Sequence, residues 1–198
     1  TLYMHVPLSH LVMNRFICLI TGFLVSASPL LAQDALLSQT EVEAALSRIQ
    51  SDNHSYIQKQ IQNAEIPAPP FDERVRAEFM ASEFSRLGLT DVRIDPEGNV
   101  IGTRAGRSDH LFIISAHLDT VFPAETDVTV RQNGERWEGP GLVDDSLGLI
   151  HLLALIEELN QANVTTEHSL LFVGTVGEEG LGDLRGVKYL IKETLKDE

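Results

Sequence analysis

The chain has 198 residues, of which 43% are hydrophobic and 22% charged, a composition typical of a globular protein with one domain or slightly more. Its formal net charge of −14 repels phosphate backbones and anionic lipids, so we expect neither nucleic acid nor a membrane surface as a partner. The single cysteine, Cys18, can form neither an intramolecular disulfide nor a Cys-x-x-Cys zinc site. Any metal must therefore be held by histidine and carboxylate side chains.

Residues 1–32 are predicted to be an N-terminal extension with a signal peptide. They contain no Asp or Glu, and a short basic stretch that begins at Met13 precedes an apolar run, residues 16–25, which small residues follow. This order is typical of a secretory signal, because the apolar run is too short to span a bilayer comfortably. We expect translation to start at Met13, cleavage to follow Ala27 or Ala32, and the protein to be periplasmic or secreted, without stable membrane association. An uncleaved anchor or a buried helix is the alternative.

Residues 33–69 are predicted to be a helical segment. Apolar residues recur at intervals of three and four, or at multiples of these, over residues 40–64. The proline-rich run 66–70 ends the helix, because proline cannot continue it.

The third segment, residues 70–198, alternates helices and strands. Two continuous apolar runs, residues 111–116 and 169–174, are predicted to be strands buried on both faces of a sheet. We therefore predict an α/β fold with a mostly parallel sheet flanked by helices on both faces. His151 lies in an apolar helix and is predicted to be packed. The remaining predicted elements are helices over 72–87, 147–159 and 187–195, strands over 92–94 and 99–104, and a hairpin over 128–138.

The first of three polar segments is His117-Leu118-Asp119, directly after the strand 111–116. The carboxyl ends of strands are where open α/β sheets bind ligands. Residues two apart in an extended chain point to the same side, so Asp119 is expected to accept the second ring N–H of His117 and to fix the tautomer that binds metal. Taken alone, this pattern is also common around surface histidines.

The second segment, residues 139–148, places two aspartates ahead of a buried helix. We expect Asp145 to cap that helix and to complement its dipole. Two glycines precede Asp144, and glycines let a loop approach another group closely. A single carboxylate at Asp144 could bridge two metal ions.

The third segment, residues 174–180, places Glu178 and Glu179 side by side after the second buried strand. Adjacent carboxylates repel each other and are costly to bury without a cation. Hydrolysis at two zinc ions needs one carboxylate that binds metal and another that carries a proton from water to the leaving amine. A solvated acidic loop explains this segment alone, but the three segments together predict a metal site.

In this order, the three segments resemble the motifs of M20 metallopeptidases, which include tripeptidase T-like, carboxypeptidase G-like and amino-acylase-like enzymes. The resemblance covers residues 70–198 and rests on residues 115–122, 139–145 and 177–180. It implies a zinc-peptidase-type catalytic domain that hydrolyses a peptide or amide bond in a small peptide or an N-acyl amino acid.

The resemblance also implies a role for each matching residue. His117 is expected to bind one zinc ion, Asp144 to bridge two zinc ions, and Glu179 to bind the other. Glu178 is expected to be the general base and acid, and Asp119 to orient His117. Histidine and carboxylate ligands would also accept cobalt or manganese.

M20 enzymes have further parts that the sequence through Glu198 does not match. These are another carboxylate ligand soon after the Glu-Glu pair, a last histidine ligand near the end of a longer chain, and a smaller lid or dimerisation domain between them. We therefore expect this chain to be an N-terminal portion in which each zinc ion has two of its three protein ligands. Little activity is expected from it alone, and a homodimer would form through the domain that is not matched.

Two alternatives stay open. An M28-type aminopeptidase also uses His-x-Asp, Asp-Asp and Glu-Glu segments, although the Gly-Pro-Gly that precedes Asp144 and the glycines after Glu179 favour M20. A non-catalytic binding module with the same fold is the other alternative. Such a module would be expected to lose the base or the bridging ligand, whereas Glu178 and Asp144 are both present.

Overall fold

The computed structural model describes residues 37–196. The signal peptide expected within residues 1–32 lies outside this range. The chain divides into two units with the boundary between Leu46 and Ser47, inside the first helix. Along the described range, every helix falls short of the length and hydropathy that crossing a bilayer requires.

The larger unit contains a four-stranded sheet, a two-stranded hairpin and helices. In chain order the helices and strands are α1 (Thr40–Ser51), α2 (Asn53–Ala64), α3 (Arg74–Arg86), β1 (Thr90–Ile94), β2 (Val100–Arg104), β3 (Ser108–His117), β4 (Arg131–Asn133), β5 (Arg136–Glu138), α4 (Ser146–Gln161), β6 (His168–Thr175), a 3₁₀ turn (Gly180–Gly182), α5 (Arg185–Tyr189) and a π-helical turn (Leu190–Thr194).

The main sheet confirms the predicted α/β fold with flanking helices, but its strands are mixed where mostly parallel strands were predicted. Its strand order is β1-β2-β6-β3. The pairs β1–β2 and β2–β6 are antiparallel, and only β3–β6 is parallel. The short turn between β1 and β2 explains the first antiparallel pair, because a tight turn reverses the chain whereas a parallel pair needs a long crossover. Helix α4 lies in the crossover between the two parallel strands.

Two predicted helices have a different internal structure. The single helix expected over 40–64 is two helices, α1 and α2, separated at Asp52. A run of polar residues surrounds this break, and Asp and Asn compete with helical hydrogen bonds through their own side chains. The helix expected over 187–195 is the short α5 followed by a π-helical turn.

The main core lies between one face of the sheet and helices α3 and α4. Phe84 of α3 and Phe172 of β6 are both fully buried, and their rings meet edge to face with centroids 6.5 Å apart. Leu149 and Leu153 of α4 complete this cluster. The other face of β6 carries Leu171 and Val173, which belong to a second cluster with Ile101, Leu190 and Leu195. Successive side chains of β6 point to opposite faces of the sheet, so the strand contributes to two separate cores.

The apolar run in β3 is not buried on both faces as predicted. Phe112 is 59% exposed and Ile113 is 37% exposed. Within residues 37–196, β3 pairs with β6 on one side only and forms an edge of the sheet. His151 is also exposed rather than packed, although Ile150 and Leu152 beside it are buried. A continuous apolar run shows that a strand has apolar faces, but not what covers them.

We predict that Phe172→Ala lowers the free energy of unfolding by about 3–5 kcal/mol, because it leaves a cavity between α3 and β6. Phe112→Ala is the matched control: it removes the same ring from a neighbouring strand, where the ring is exposed, and should cost about 0.5 kcal/mol or less. Urea unfolding followed by circular dichroism measures both. Equal losses in the two variants would contradict the placement of the core.

Candidate metal centre

Strands β3 and β6 end at the same level of the sheet. His117, the last residue of β3, pairs with Thr175, the last residue of β6. The backbone N–H of Leu118 donates to the carbonyl of Thr175 at 2.7 Å and extends this pairing by one bond. The segment after β3 and the Glu178–Glu179 pair after β6 therefore leave the sheet side by side.

Asp145 connects the end of β3 to the start of helix α4. One of its carboxylate oxygens accepts the N–H of Gly148 at 2.9 Å, which is the helix-capping contact expected from the sequence. The other oxygen accepts the backbone N–H of His117 at 3.1 Å, a contact that the sequence did not indicate. The peptide bond between Asp144 and Asp145 is cis. These contacts place Asp144 beside the imidazole of His117.

Three of the residues expected from the sequence come together as a group that could hold a metal ion. One ligand atom from each of His117, Asp144 and Glu179 lies within 4.8 Å of the others. Nε2 of His117 is 2.9 Å from Oδ1 of Asp144. The imidazole is largely buried at 12% side-chain exposure, whereas the Asp144 carboxylate is 72% exposed. The group is thus open to solvent on the Asp144 side. Glu178 is exposed and is not a member of it.

Asp119 is fully buried beneath this group. Its two carboxylate oxygens accept the backbone N–H groups of Glu178 and Glu179, at 2.9 and 2.8 Å. Nδ1–H of His117 donates to the backbone carbonyl of Asp119 at 3.0 Å, and the nearer carboxylate oxygen lies 3.6 Å away. The ring N–H of His117 is therefore held by the main chain of Asp119, with the carboxylate close behind it. This arrangement leaves Nε2 directed at Asp144.

The electrostatics of the site favour a cation. Burial alone would lower the pKa of His117, but its contact with Asp119 and the charges of Asp145 and Asp144 outweigh burial and raise the pKa to about 9. Burial and the neighbouring charges of Asp144 and Glu178 raise the pKa of Glu179. The crowded carboxylates raise the pKa of His117 and, together with burial, that of Glu179. A metal ion would relieve the same repulsion.

Asp119 itself stays ionised despite its burial. Burial raises the pKa of this carboxyl group, but its contact with His117 and the N–H groups of Glu178 and Glu179 outweigh burial and hold the pKa below its ordinary value. A carboxylate that accepts two backbone N–H bonds is stabilised in its charged form. The negative charge beneath the ligand group is therefore permanent near neutral pH.

Glycine allows the loop after β6 to form. Gly177 adopts a φ of 61°, in the left-handed region that glycine enters without strain. A Cβ at Gly177 would lie 2.6 Å from Cγ of Arg185, and a Cβ at Gly182 would lie 2.5 Å from the backbone of Gly177. The close fit explains the glycines at positions 177 and 182, on either side of the two glutamates.

Two arginines that the sequence analysis missed support the site from below. Arg76 is 1% exposed and donates to the carbonyls of Leu118 and Ile66, at 2.8 and 2.5 Å, which fixes the backbone just before Asp119. Arg185 follows the glycine loop and pairs with the buried Glu73 at 2.7 Å and with Glu97 at 2.8 Å. Neither arginine lies in the three polar segments, and their partners are 10 to 112 residues away along the chain.

The donor set suits zinc. One imidazole and two carboxylates are ligands that zinc accepts, with bond lengths of about 2.0–2.2 Å. Ligand atoms around such an ion lie about 3.3–3.6 Å apart at tetrahedral angles. The ligand atoms of the three residues lie within 4.8 Å of one another, which is wider than this spacing.

Comparison with known proteins gives one family match. Residues 113–198 match the family described as peptidase family M20/M25/M40. This range includes all five residues that the sequence singled out, from His117 to Glu179.

The similar proteins are much longer than the matched region. YgeY of Escherichia coli strain K12 is 29% identical over 135 residues, which cover 65% of this chain and 33% of that protein. Carboxypeptidase G2 of Pseudomonas sp. strain RS-16 is 30% identical over 90 residues, which cover 40% of this chain and 22% of that protein. The solved structure of aminopeptidase PepT from Bacillus cereus ATCC 10987 has a TM-score of 0.59 at 23% identity, covering 70% of this chain and 40% of that one. The chain thus spans about a third or less of the length of these curated relatives.

We predict that Asp119→Ala weakens zinc binding by about 10- to 100-fold, because residues that orient metal ligands typically contribute this much. It should also lower the free energy of unfolding by about 1–3 kcal/mol for each N–H left without its acceptor. In both zinc affinity and the free energy of unfolding, Asp119→Asn should lie between Asp119→Ala and the unmodified chain. Its amide keeps one acceptor oxygen but turns an NH₂ donor towards the second backbone N–H. Asp109→Asn, an exposed change on the same strand, is the control. Calorimetric zinc titration and urea unfolding measure these effects. Unchanged zinc affinity in Asp119→Ala would contradict the positioning role.

Proposed function

We propose that the chain, whose residues 113–198 match the peptidase family M20/M25/M40 as its motifs indicated, carries the metal-binding half of an enzyme that hydrolyses a peptide or amide bond in a small peptide or an N-acyl amino acid. Two of the similar proteins, carboxypeptidase G2 and aminopeptidase PepT, are named as peptidases. The enzyme that contains this chain is proposed to be metal-dependent, with zinc as its metal.

One observation carries the proposal. His117, Asp144 and Glu179 come from three separate segments, yet their ligand atoms lie within 4.8 Å of one another. An exposed carboxylate, Glu178, sits next to this group without belonging to it. Metal-dependent hydrolysis needs this division between residues that bind the ion and one that moves protons.

The residues of this chain supply separate parts of the reaction. Zinc, when bound, would polarise the carbonyl of the scissile bond and lower the pKa of water. The carboxylate of Glu178 would take a proton from the attacking water and deliver it to the leaving amine, so that the amine departs neutral. Asp119 would hold the backbone of Glu178 in place throughout, because its carboxylate accepts that N–H.

Two metal ions are proposed, with Asp144 between them. The Asp144 carboxylate is 72% exposed and lies beside Nε2 of His117, so it would be accessible to a second ion as well as to the first. His117 would then serve the first ion and Glu179 the second. The donor set would also accept cobalt or manganese. Each ion would need a further ligand from elsewhere in the enzyme.

The family match favours this reading over the M28-type aminopeptidase. The non-catalytic alternative would leave Glu178 without a purpose, although the loop that carries it is fixed by a buried aspartate and by Arg185. We also propose that the protein is exported, on the pattern of residues 1–32, and that the complete enzyme dimerises through a domain outside this range.

We predict that Glu178→Ala in the complete enzyme lowers turnover by at least about 10²–10⁴-fold, the usual contribution of a general base, while bound zinc stays near normal. Glu179→Ala is the matched control, since it removes an identical carboxylate one residue away and should lower zinc affinity as well as turnover. Initial rates on a dipeptide, with bound zinc measured by atomic emission, separate the two roles.

Loss of zinc in Glu178→Ala would reassign Glu178 as a ligand. Hydrolysis that persists after dialysis against a chelator would contradict metal dependence altogether. Hydrolysis by the 198-residue chain alone would refute the expectation that it needs further ligands.

We predict that the protein isolated from the producing cell begins at or near residue 28 or residue 33, because the small residues Ala27 and Ala32 follow the apolar run. N-terminal sequencing of the protein from the periplasm and the medium measures this. A mature chain that still begins at or before Met13 would contradict cleavage.

A further inference from the structure

An apolar pocket lies directly beside the metal centre. It has a volume of about 400 Å³ and is lined by Pro70, Phe71, Val121, Gly180 and Leu181, together with Glu179 of the metal-binding group. Glu179 thus belongs to both the pocket and the centre. A molecule with one group at the metal ions can therefore place a neighbouring group in this pocket.

The apolar side chains of the pocket face solvent. Phe71 is 63% exposed, Val121 is 60% exposed and Leu181 is 89% exposed. Single exposed apolar residues are common, but three of them around one concavity are typical of a surface that binds something. Val121 lies two residues after Asp119, and Leu181 lies two residues after Glu179. The segments that build the metal centre thus also supply two walls of the pocket.

Phe71 is held in its exposed position by several contacts. Its φ is 72°, and its backbone N–H donates to the buried carboxylate of Glu73 at 3.0 Å. The guanidinium carbon of Arg185 lies 5.1 Å from the centre of the Phe71 ring. Arg185 is fixed in turn by Glu73 and Glu97. An exposed aromatic ring that is fixed at both its backbone and its side chain is preorganised for contact.

The loop 66–71, which carries Pro70 and Phe71 of the pocket, is hydrogen-bonded to the segment that follows β3. The backbone N–H of Thr120 donates to the carbonyl of Ala68 at 2.9 Å. The loop 66–71 and the segment after β3 therefore keep a fixed separation. This connection sets the distance between the pocket and the metal-binding group.

We propose that this pocket is the subsite for an apolar side chain of the substrate, next to the scissile bond, and that Phe71 determines this preference. The proposal rests on the proposed hydrolysis of a small peptide. The volume is large enough for a branched aliphatic or aromatic side chain. An acidic side chain would meet the carboxylate of Glu179, and Arg185 cannot offset it because its guanidinium is already paired with two carboxylates.

The test separates the pocket from the chemistry by using the metal-free chain. N-acetyl-leucine amide and N-acetyl-glycine amide are added in the presence of chelator, and methyl resonances of Val121 and Leu181 are followed by NMR. The leucine probe should shift both resonances in a saturable way, and the glycine probe should not. Phe71→Ala should weaken binding of the leucine probe at least tenfold, and Leu181→Ser should weaken it as well.

Phe112→Ala is the matched control, because Phe112 is similarly exposed, at 59%, but lies on β3 outside the pocket. It should leave binding of the leucine probe unchanged. Equal responses to the two probes, or equal losses in Phe71→Ala and Phe112→Ala, would overturn the proposal. So would a dimer in sedimentation that dissociates on Phe71→Ala, because the patch would then be an interface between copies.

In the complete enzyme, kcat/KM for leucyl against glycyl substrates gives the second measurement. Phe71→Ala should lower the ratio of kcat/KM for leucyl to glycyl substrates by about 10-fold or more, whereas Phe112→Ala should leave that ratio unchanged. If the leucine probe binds but the complete enzyme hydrolyses no peptide, the result would support the subsite and refute the proposed function. If the complete enzyme hydrolyses leucyl and glycyl substrates equally well, the result would support the proposed function and refute the subsite.

Discussion

The candidate metal centre depends on one buried carboxylate. Asp119 accepts the backbone N–H groups of Glu178 and Glu179 and lies just behind the imidazole of His117. It therefore connects the segment after β3 to the segment after β6. A buried charge of this kind is stable only while its hydrogen bonds are intact, so the position of the two glutamates and the ionisation of Asp119 support each other. The parallel register of β3 and β6 makes this contact available.

The charged side chains around Asp119 form two groups, one paired with protein partners and one exposed to solvent. Arg76 fixes the backbone before Asp119, and Asp145 fixes both the start of α4 and the end of β3. These buried or capping groups are satisfied by protein partners. The carboxylates of Asp144 and Glu178, in contrast, are exposed and crowd the solvent side of the centre. A bound cation would balance the repulsion among them, and the hydrogen bond beneath holds the backbone of Glu178 in place.

The apolar pocket and the metal centre share a common support. Arg185 stacks on Phe71, pairs with Glu73 and contacts the region around Gly177. Arg185 thus holds the ring that lines the pocket through its guanidinium, and its backbone N–H donates to the carbonyl of Gly177 at 3.3 Å, where the loop that carries the glutamates begins. Positioning of the substrate side chain and positioning of the catalytic carboxylate would then be coupled, and in hydrolysis such relative placement contributes directly to rate.

The sequence by itself determined most of the elements and the chemical character of the site. Periodicity located the strand 169–174 and the helix 147–159 to within two residues, and the three polar segments named His117, Asp144 and Glu179, which the structure brings into one group. Only the tertiary structure decided the mixed strand directions, the exposure of Phe112, the second contact of Asp145, and the roles of Arg76, Arg185 and Phe71. The reason is physical: a motif records residue types that are close along the chain, whereas burial and long-range hydrogen bonds depend on which segments the fold brings together.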